Sequence, residues 1–435
     1  MKVSYLKHKS DRLNFKGSSI VLKSKPFTLK IDTRKQDDGN PDDPNDDIFY
    51  YGLYKPGEDV GLNDVIYDFD IDWGDGTDIQ SYDNQRVIDD SILNSGSGYH
   101  HLEHQYPTPG EYTIKVYGRI GSITTSFMEG KAKYIEVIQW GNGIWYITEF
   151  GLQDTENLSI SATDTPKFQR PLSFRGFLSY SGIESVPSNI FDKAINNESF
   201  SQTFNSSENL ASIPSGLFNN TLNNLTFNQT FSGCISLTSI PSGLFDNSTN
   251  NESFNNTFSG CVGLTSIPSG LFDNAINNLT FTGTFFECTG ITEVPANLFD
   301  NSPNNTSYTK TFEGCTNLNI VYDASTWSML NVTRMWRTFA NCGSIDVVGI
   351  ENWEPFKIDT ASNGSMVEMF IGSTLPTQRY SDLLVNWASK AASFENTGIT
   401  FHGGNSKYNS AGQTARNTLT SSPYNWNITD GGLEV

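Results

Sequence analysis

Charged residues, cysteines and long apolar segments are all scarce in this sequence. Of the 435 residues only 17% are charged, and 28 Lys and Arg against 48 Asp and Glu give a formal net charge of −20. Negative charge of this size repels nucleic acid backbones and anionic membranes. We therefore expect no nucleic-acid partner. No segment approaches the roughly 18 consecutive apolar residues of a membrane span, so we also expect no membrane insertion.

The N-terminus lacks the apolar segment of a secretory signal peptide. Residues 1–10 include basic side chains, but no run of about seven or more apolar residues follows them. From this we expect the chain to fold in a cytoplasm.

The residues that are abundant favour a β-rich protein with many turns. Aromatic residues make up 13% of the chain, and Asn, Ser, Thr and Gly dominate the polar set. Such a composition suits strands and turns better than long amphipathic helices. The length predicts about two to four domains.

The few cysteines follow one another at a constant spacing of 27 residues, and a phenylalanine keeps the same step over a longer stretch. A fixed period of this length is typical of a solenoid, in which each turn buries its apolar edge against its neighbours. We expect such an array over residues 141–373. The structural columns of its core are Cys234, Cys261, Cys288, Cys315 and Cys342, and Phe150, Phe177, Phe204, Phe231, Phe258, Phe285, Phe312 and Phe339.

The cysteine column is interpreted as packing, with no redox or metal role. The same slot holds Ser207 one unit earlier and Ser373 in the last unit. A small, weakly donating side chain therefore suffices there. Stacked neighbours rarely have the side-chain angle that a disulfide needs, so we expect free thiols.

Each unit is predicted to begin with a short Leu-x-x-Ile strand, to break at a proline and to return along a segment Phe-x-x-Thr-Phe-x-x-Cys. Pairs of asparagines keep the same step and predict a ladder of amides that bond turn carbonyls and one another. The prolines are Pro187, Pro214, Pro241, Pro268 and Pro295, and the pairs begin at Asn196, Asn223, Asn250, Asn277 and Asn304.

Polar residues on the exposed positions of the Leu-x-x-Ile segments are the candidate ligand-binding residues. A repeated polar surface suits recognition of carbohydrate or protein that is weak per contact and strengthened by multivalency. The candidates are Thr238, Ser239, Thr265, Ser266, Thr292 and Glu293.

Before the array, residues 31–140 show the alternation of a small antiparallel β-sandwich. In Tyr67–Trp73 the apolar residues alternate with Asp68, Asp70 and Asp72, which places these carboxylates on the solvent face of one strand. They are therefore not interpreted as a metal site. The acidic segment 36–47 is interpreted as an exposed loop, because it lacks the spacing of an EF-hand. Calcium binding is the alternative.

Three motifs carry a resemblance for this region. Asp72-Trp-Gly-Asp-Gly-Thr, His104-Gln-Tyr and Pro109-Gly-Glu-Tyr-Thr-Ile-Lys-Val occur in this order. Together they resemble the PKD (polycystic kidney disease) domain, an immunoglobulin-like sandwich that typically serves as a spacer or adhesion module. The resemblance implies a structural role for His104, so we expect no zinc site and no cofactor.

The array resembles BspA-like leucine-rich repeats of bacteria. The match is sharpest at Thr311-Phe-Glu-Gly-Cys-Thr-Asn-Leu and at Asn331-Val-Thr-Arg-Met. Tails similar to residues 374–435 accompany these repeats, and the resemblance implies a small α/β cap that seals the open end of the solenoid. The expected fold class is thus mainly β with α/β repeats: a PKD-like sandwich, a leucine-rich-repeat solenoid and a C-terminal cap.

Within the tail, helical spacing predicts two short helices. Tyr380, Leu383, Leu384 and Trp387 would form the buried face of the first, and Ser410 would be the N-cap of the second.

No combination of residues supports catalysis, because no nucleophile has an evident base and orienting partner. We expect a bacteriophage virion protein, such as a tail fibre, baseplate or capsid-decoration component, that recognises a glycan or protein on the host surface. Virions assemble in the host cytoplasm, which agrees with the missing signal peptide. Residues 1–30 would attach the chain to other virion proteins, and homo-oligomers are possible. The alternative is a BspA-like adhesin on a bacterial cell surface.

Overall fold

The computed structural model describes the chain over most of its length. The described residues are 12–15, 18–21, 25–35, 47–54, 67–93, 99–121, 123–125, 128–145, 151–168, 173–360 and 366–435. The fold is mainly β with few helices. It forms two compact units, Met1–Asn197 and Glu198–Val435.

The first unit contains thirteen described strands and one α-helix, α1 (Asn84–Asp90). The strands are β1 (Arg12–Phe15), β2 (Ser18–Val21), β3 (Phe27–Asp32), β4 (Ile48–Tyr54), β5 (Asp68–Asp72), β6 (Gln80–Asp83), β7 (Ile92–Leu93), β8 (Tyr99–Gln105), β9 (Glu111–Arg119), β10 (Tyr134–Gln139), β11 (Ile144–Trp145), β12 (Ser159–Ile160) and β13 (Lys167–Phe168).

Two sheets of this unit pack against each other. The larger has the order β12-β10-β3-β9-β5-β6 and the smaller the order β4-β8-β7. The hydroxyl of Tyr134 donates to the carbonyl oxygen of Tyr50 over 2.8 Å, and the rings of Tyr134 and Phe49 lie 5.0 Å apart. The larger sheet includes Phe27–Asp32, so it begins within the segment predicted for attachment.

The alternation predicted for β5 is confirmed. Phe69 and Ile71 are buried, whereas Asp68 is exposed and Asp70 and Asp72 are half-buried. The three carboxylates thus lie on the outer side of the strand.

The first turns of the repeat region continue the larger sheet directly. Strand β12 pairs with β10 in parallel, and β13 pairs with β11 in the same sense. The carboxylate of Asp164 accepts hydrogen bonds from the backbone N–H groups of Trp140 and Gly141, at 2.9 and 2.8 Å. These bonds tie the turn that follows β12 to the chain leaving β10.

The second unit consists of stacked turns followed by a helical segment. Its elements are β14 (Glu293–Val294), β15 (Ile320–Val321), β16 (Gly343–Ser344), β17 (Asp346–Val347), β18 (Ser373–Thr374), α2 (Thr377–Ser389), β19 (Thr400–His402), α3 (Ser410–Thr420) and β20 (Asn427–Thr429), with 3-10 helices at Ala324–Thr326, Ile350–Asn352 and Ala391–Ser393.

Successive turns are joined by a regular ladder of parallel backbone bridges, each 27 residues from the next. In one turn the N–H groups of Phe227 and Gln229 donate to the carbonyl oxygens of Ser253 and Asn255, at 3.0 and 2.8 Å. The bridges run Ser199, Thr226, Ser253, Thr280, Ser307 and Arg334. The ladder therefore follows the returning segment of each unit.

The sequence prediction had placed the strands elsewhere, at Leu-x-x-Ile. Within residues 198–360 the Leu-x-x-Ile segments and their equivalents form strand pairs only in the later turns, where β14, β15 and β17 pair in parallel. The reason is proline, which has no N–H to donate. Pro268 leaves the carbonyl of Ile240 without the bond that Tyr322 N–H makes to Val294 in a later turn.

The predicted phenylalanine column is confirmed in the second unit and forms the centre of each turn. From Phe204 to Phe339 the rings stack nearly parallel, with centroids 5.3–5.7 Å apart. Two further aromatic columns flank it. They comprise Phe200, Phe227, Phe254, Phe281 and Tyr308, and Phe218, Phe245, Phe272, Phe299 and Trp327. Phe150 lies outside the described residues.

The asparagine pairs divide between core and surface. The second member, such as Asn224 or Asn278, is fully buried. The first member is exposed, and the amide of Asn277 donates to the carbonyl oxygen of Thr249 in the preceding turn over 2.9 Å. The predicted bonding of turn carbonyls by these amides is confirmed.

The tail has the predicted helices. Tyr380, Leu383, Leu384 and Trp387 are fully buried along α2. The N-cap prediction for α3 was wrong by one residue, because Asn409 Oδ1 accepts from the N–H groups of Ala411 and Gly412. The longer Asn side chain reaches both donors from one position earlier.

The tail also extends the backbone ladder. Strand β19 pairs with β20 in parallel, and β20 is the last strand of the described chain. Its outward carbonyl at Ile428 accepts from the guanidinium of Arg416 over 2.7 Å. The edge strand is thus blocked by a side chain, which limits its pairing with other strands.

Candidate recognition surface

The six residues predicted to bind a ligand lie on the exposed side of three successive turns. Thr238, Ser239, Thr265, Ser266, Thr292 and Glu293 are all exposed. Only Glu293 belongs to a strand, β14. The N–H of Thr265 donates to the carbonyl oxygen of Thr238 in the preceding turn over a long 3.4 Å.

A second polar surface, which the sequence reasoning missed, follows the regular ladder. We call it the ladder face. Its side chains are half-buried, apart from buried Ser307, and none is charged. It comprises Ser201, Gln202, Thr226, Asn228, Gln229, Ser253, Asn255, Asn256, Thr280, Thr282, Ser307 and Thr309.

Side chains of the ladder face bond one another from turn to turn. The amide nitrogen of Gln202 donates to Oε1 of Gln229 over 2.9 Å. The hydroxyl of Ser253 donates to Oδ1 of Asn228 over 2.5 Å. These bonds use the oxygen atoms of the amides and so fix the orientation of each amide group.

The amide nitrogens on the same face remain available. Thr280 donates to Oδ1 of Asn255 over 2.8 Å. Within the described residues, Nδ2 of Asn228, Nδ2 of Asn255 and Nε2 of Gln229 have no hydrogen-bond partner in the protein. Three oriented donor groups therefore face outward from two adjacent turns.

One column of the ladder face has a left-handed backbone. Gln202, Gln229 and Asn256 have φ values of 58°, 55° and 52°, and Lys310 has 58° in the same position of a later turn. This conformation costs a residue other than glycine about 1–2 kcal/mol. Only Gly283 avoids this cost within the column.

A neighbouring left-handed column has a different composition. Its seven positions include Gly233, Gly260, Gly314 and Gly372. Both columns require the same backbone conformation, yet side chains are retained mainly in the first. Strain that is kept in this way points to a use for the side chains.

A cluster of charged and aromatic side chains ends the uncharged surface. The Lys310 ammonium lies 5.3 Å from the ring centroid of Phe286 and 4.8 Å from that of Trp336. Arg337 pairs with Glu313 at 2.6 Å and with Glu368 at 2.5 Å. The hydrogen bond from Arg337 holds the pKa of Glu368 below its usual range.

The sequence contained a signal for the ladder face. Two of its three columns are the two variable positions in the repeated segment Phe-x-x-Thr, as in Phe227-Asn-Gln-Thr230 and Phe254-Asn-Asn-Thr257, and the third is the Ser or Thr directly before that segment. The framing Phe and Thr are buried, whereas the residues between them are half-buried.

The cysteine column fits a packing role. All five thiols are free and buried. Burial raises the pKa of Cys261 and of Cys342 to about 12. A thiol with such a pKa forms almost no thiolate near neutral pH, which agrees with the predicted packing role.

The described residues contain no group of His, Cys, Asp and Glu side chains that could hold a metal ion. His104 instead bonds Asp75 at 2.8 Å and stacks on Trp73 with ring centroids 4.5 Å apart. Both contacts are structural. Residues 36–46 of the acidic segment lie outside the described residues, so its calcium alternative stays a prediction.

In the described part of the chain, no helix has the length and apolar character to span a bilayer. Comparison with protein-family models and with curated proteins gives no match to this chain.

Proposed function

We propose that the chain is a non-catalytic recognition protein of a bacteriophage virion, a tail fibre, baseplate or capsid-decoration component that contacts the host surface. In this proposal residues 31–140 form a PKD-like sandwich, residues 141–373 a leucine-rich-repeat solenoid, and residues 374–435 its cap. The two motif resemblances support these assignments.

The observation that carries the proposal is the ladder face. It repeats oriented hydrogen-bonding groups over successive turns that are fixed by backbone bonds and stacked rings. A surface of this kind suits a ligand that is held through many weak contacts. Catalysis requires a positioned nucleophile or an acid–base pair, and the residues described for the ladder face include neither.

A deletion that keeps the repeat register tests this role. Removing residues 226–279 takes out two 27-residue units and joins Leu225 to Thr280, an equivalent junction. Binding of the fluorescently labelled protein is measured on cells of the bacterium that carries the gene or that its phage infects. We expect cell binding to fall strongly while circular dichroism retains a cooperative unfolding transition.

Undiminished cell binding by the folded deletion variant would mean that the stacked turns are only a spacer. The alternative is a bacterial adhesin, supported by the resemblance to BspA-like repeats. Finding the gene among phage structural genes would support the virion assignment. An in-frame export leader upstream of Met1 would support the adhesin instead.

A further inference from the structure

We propose that the ladder face binds an uncharged polysaccharide chain that lies along the stack and contacts several turns. This inference rests on the proposed recognition function and names the class of its ligand.

The first argument is charge. Residues 198–309 contain no Lys, Arg or His, and every side chain of the ladder face is an amide or a hydroxyl. An anionic chain would meet no cation there, and the formal net charge of −20 would repel it. A neutral ligand with many hydroxyl groups pays no such penalty.

The second argument is the supply of donors. The amide nitrogens of Asn228, Gln229 and Asn255 have no hydrogen-bond partner within the described residues, while the amide oxygens are held by neighbouring side chains. Their orientation is therefore set before a ligand arrives, which reduces the entropy lost on binding. Sugar hydroxyl and ring oxygens are suitable acceptors for them.

The third argument is the repeat distance. Adjacent parallel backbones lie about 4.8 Å apart, and the stacked rings beneath the face repeat at 5.3–5.7 Å. The repeat of one pyranose unit in an extended polysaccharide is of similar length. Equivalent donors on successive turns can therefore meet equivalent oxygens on successive sugars.

A protein partner fits this face less well. Protein interfaces are centred on buried aromatic, Met and Arg side chains, and none of these lies on the face from Ser201 to Thr309. The Lys310 ammonium lies over the rings of Phe286 and Trp336. This cluster closes the uncharged surface at one end.

Substitutions in the left-handed column of the ladder face test the proposal without disturbing the fold. Gln229→Gly and Asn256→Gly remove two amides at positions where glycine relieves backbone strain and where Gly283 already occurs naturally. The control variant carries Ser215→Ala, Ser242→Ala and Ser269→Ala, which change three exposed residues outside both polar surfaces.

The probes are polysaccharides extracted from the envelope of the same bacterium and separated by anion exchange into neutral and anionic fractions. Binding to the full chain is measured by calorimetry. We expect the neutral fraction to bind, the Q229G/N256G variant to lose at least tenfold in affinity at unchanged thermal stability, and the three-alanine control to bind as the parent does.

Binding of the anionic fraction alone, or unchanged affinity of the folded Q229G/N256G variant, overturns the ligand assignment. If the parent binds whole cells but no neutral polysaccharide, the recognition function stands and the ligand class is wrong. If the parent binds neither cells nor either fraction, the recognition function fails as well.

Discussion

The thiol of Cys261 donates to the carbonyl oxygen of Phe231, in the preceding turn, over 3.1 Å. Four further cysteines make the equivalent bond, and in the last turn Ser373 makes it to Phe339 over 2.6 Å. The column therefore selects a small side chain that can donate, whether thiol or hydroxyl.

From this we expect Cys261→Ser to cost less stability than Cys261→Ala. The serine hydroxyl keeps the bond to Phe231, whereas alanine loses it at a cost of about 1 kcal/mol. Urea unfolding followed by circular dichroism measures both values. An alanine variant as stable as the serine variant would show that the bond contributes nothing.

The buried thiols should make stability sensitive to alkali. In the unfolded chain a thiol has a pKa of about 8.5, whereas burial raises the pKa of Cys261 and Cys342 to about 12. The folded state therefore holds these protons more tightly. The contribution of the thiols to the free energy of unfolding is complete below the pKa of the unfolded chain. It is lost as pH rises toward the pKa of the folded state.

We expect the urea midpoint to fall between pH 8 and pH 11, and to fall less in a Cys261→Ser, Cys342→Ser variant. Buried tyrosines such as Tyr134, whose pKa is also raised by burial, contribute equally to both proteins. Identical pH profiles for the two proteins would exclude a contribution from the thiols.

Tyr322 tests the role of proline in placing the strands. Its N–H donates to Val294 over 2.9 Å at the position that Pro268 and Pro295 hold in earlier turns. Tyr322→Pro removes this donor and leaves a buried carbonyl without a partner, so we expect a loss of about 1–3 kcal/mol.

Tyr322→Ala is the control, because the residue is 45% exposed and alanine keeps the N–H. Hydrogen exchange should show loss of protection around β14 and β15 only in the proline variant. Equal stability of the two variants would contradict the proposed effect of proline.

Asp164 should couple the first turns to the larger sheet. Its carboxylate accepts from two backbone N–H groups, those of Trp140 and Gly141. We expect Asp164→Ala to cost about 2 kcal/mol, since hydrogen bonds to a charged acceptor are the stronger class. The amide exchange of Trp140 and Gly141 should accelerate.

The control is Lys131→Ala, which breaks a half-exposed ion pair with Asp154 at 2.9 Å. Such pairs contribute at most about 1 kcal/mol. A larger loss for Lys131→Ala than for Asp164→Ala would place the coupling at the ion pair instead.

Arg416 should protect the last strand. Its guanidinium bonds Asp430 over 2.8 Å and the carbonyl of Ile428 over 2.7 Å, and the Asp430 side chain is 3% exposed. Arg416→Ala leaves a buried carboxylate beside Tyr380 without its cation, at a cost of about 3 kcal/mol. It also frees the edge carbonyl for pairing.

We expect the alanine variant to melt earlier and to self-associate in light scattering at high concentration. Arg416→Lys keeps the charge but lacks the planar guanidinium that bonds both partners at once. Compared with the alanine variant, it should regain part of the stability and little of the protection against association. A monomeric alanine variant at all concentrations would argue against edge protection.

The spacing of 27 residues by itself determined which residues stack. Because equivalent positions of a repeat occupy equivalent environments, the Phe and Cys columns followed from counting, and so did the buried face of α2 from its helical period. Alternation likewise determined which side of β5 is buried. These are local or periodic properties, and the sequence of each segment is enough to predict them.

Tertiary structure alone decided which side of each turn carries the regular ladder. Leu-x-x-Ile has the stronger strand pattern, but bridging needs a donor on the next turn, and Pro268 withholds it from Ile240. It also decided that β12 continues the sheet of β10, and that Asn228, Gln229 and Asn255 expose their amide nitrogens. Those outcomes depend on which donors and acceptors already have a hydrogen-bond partner on a neighbouring turn. Only the folded arrangement of the turns specifies these partners.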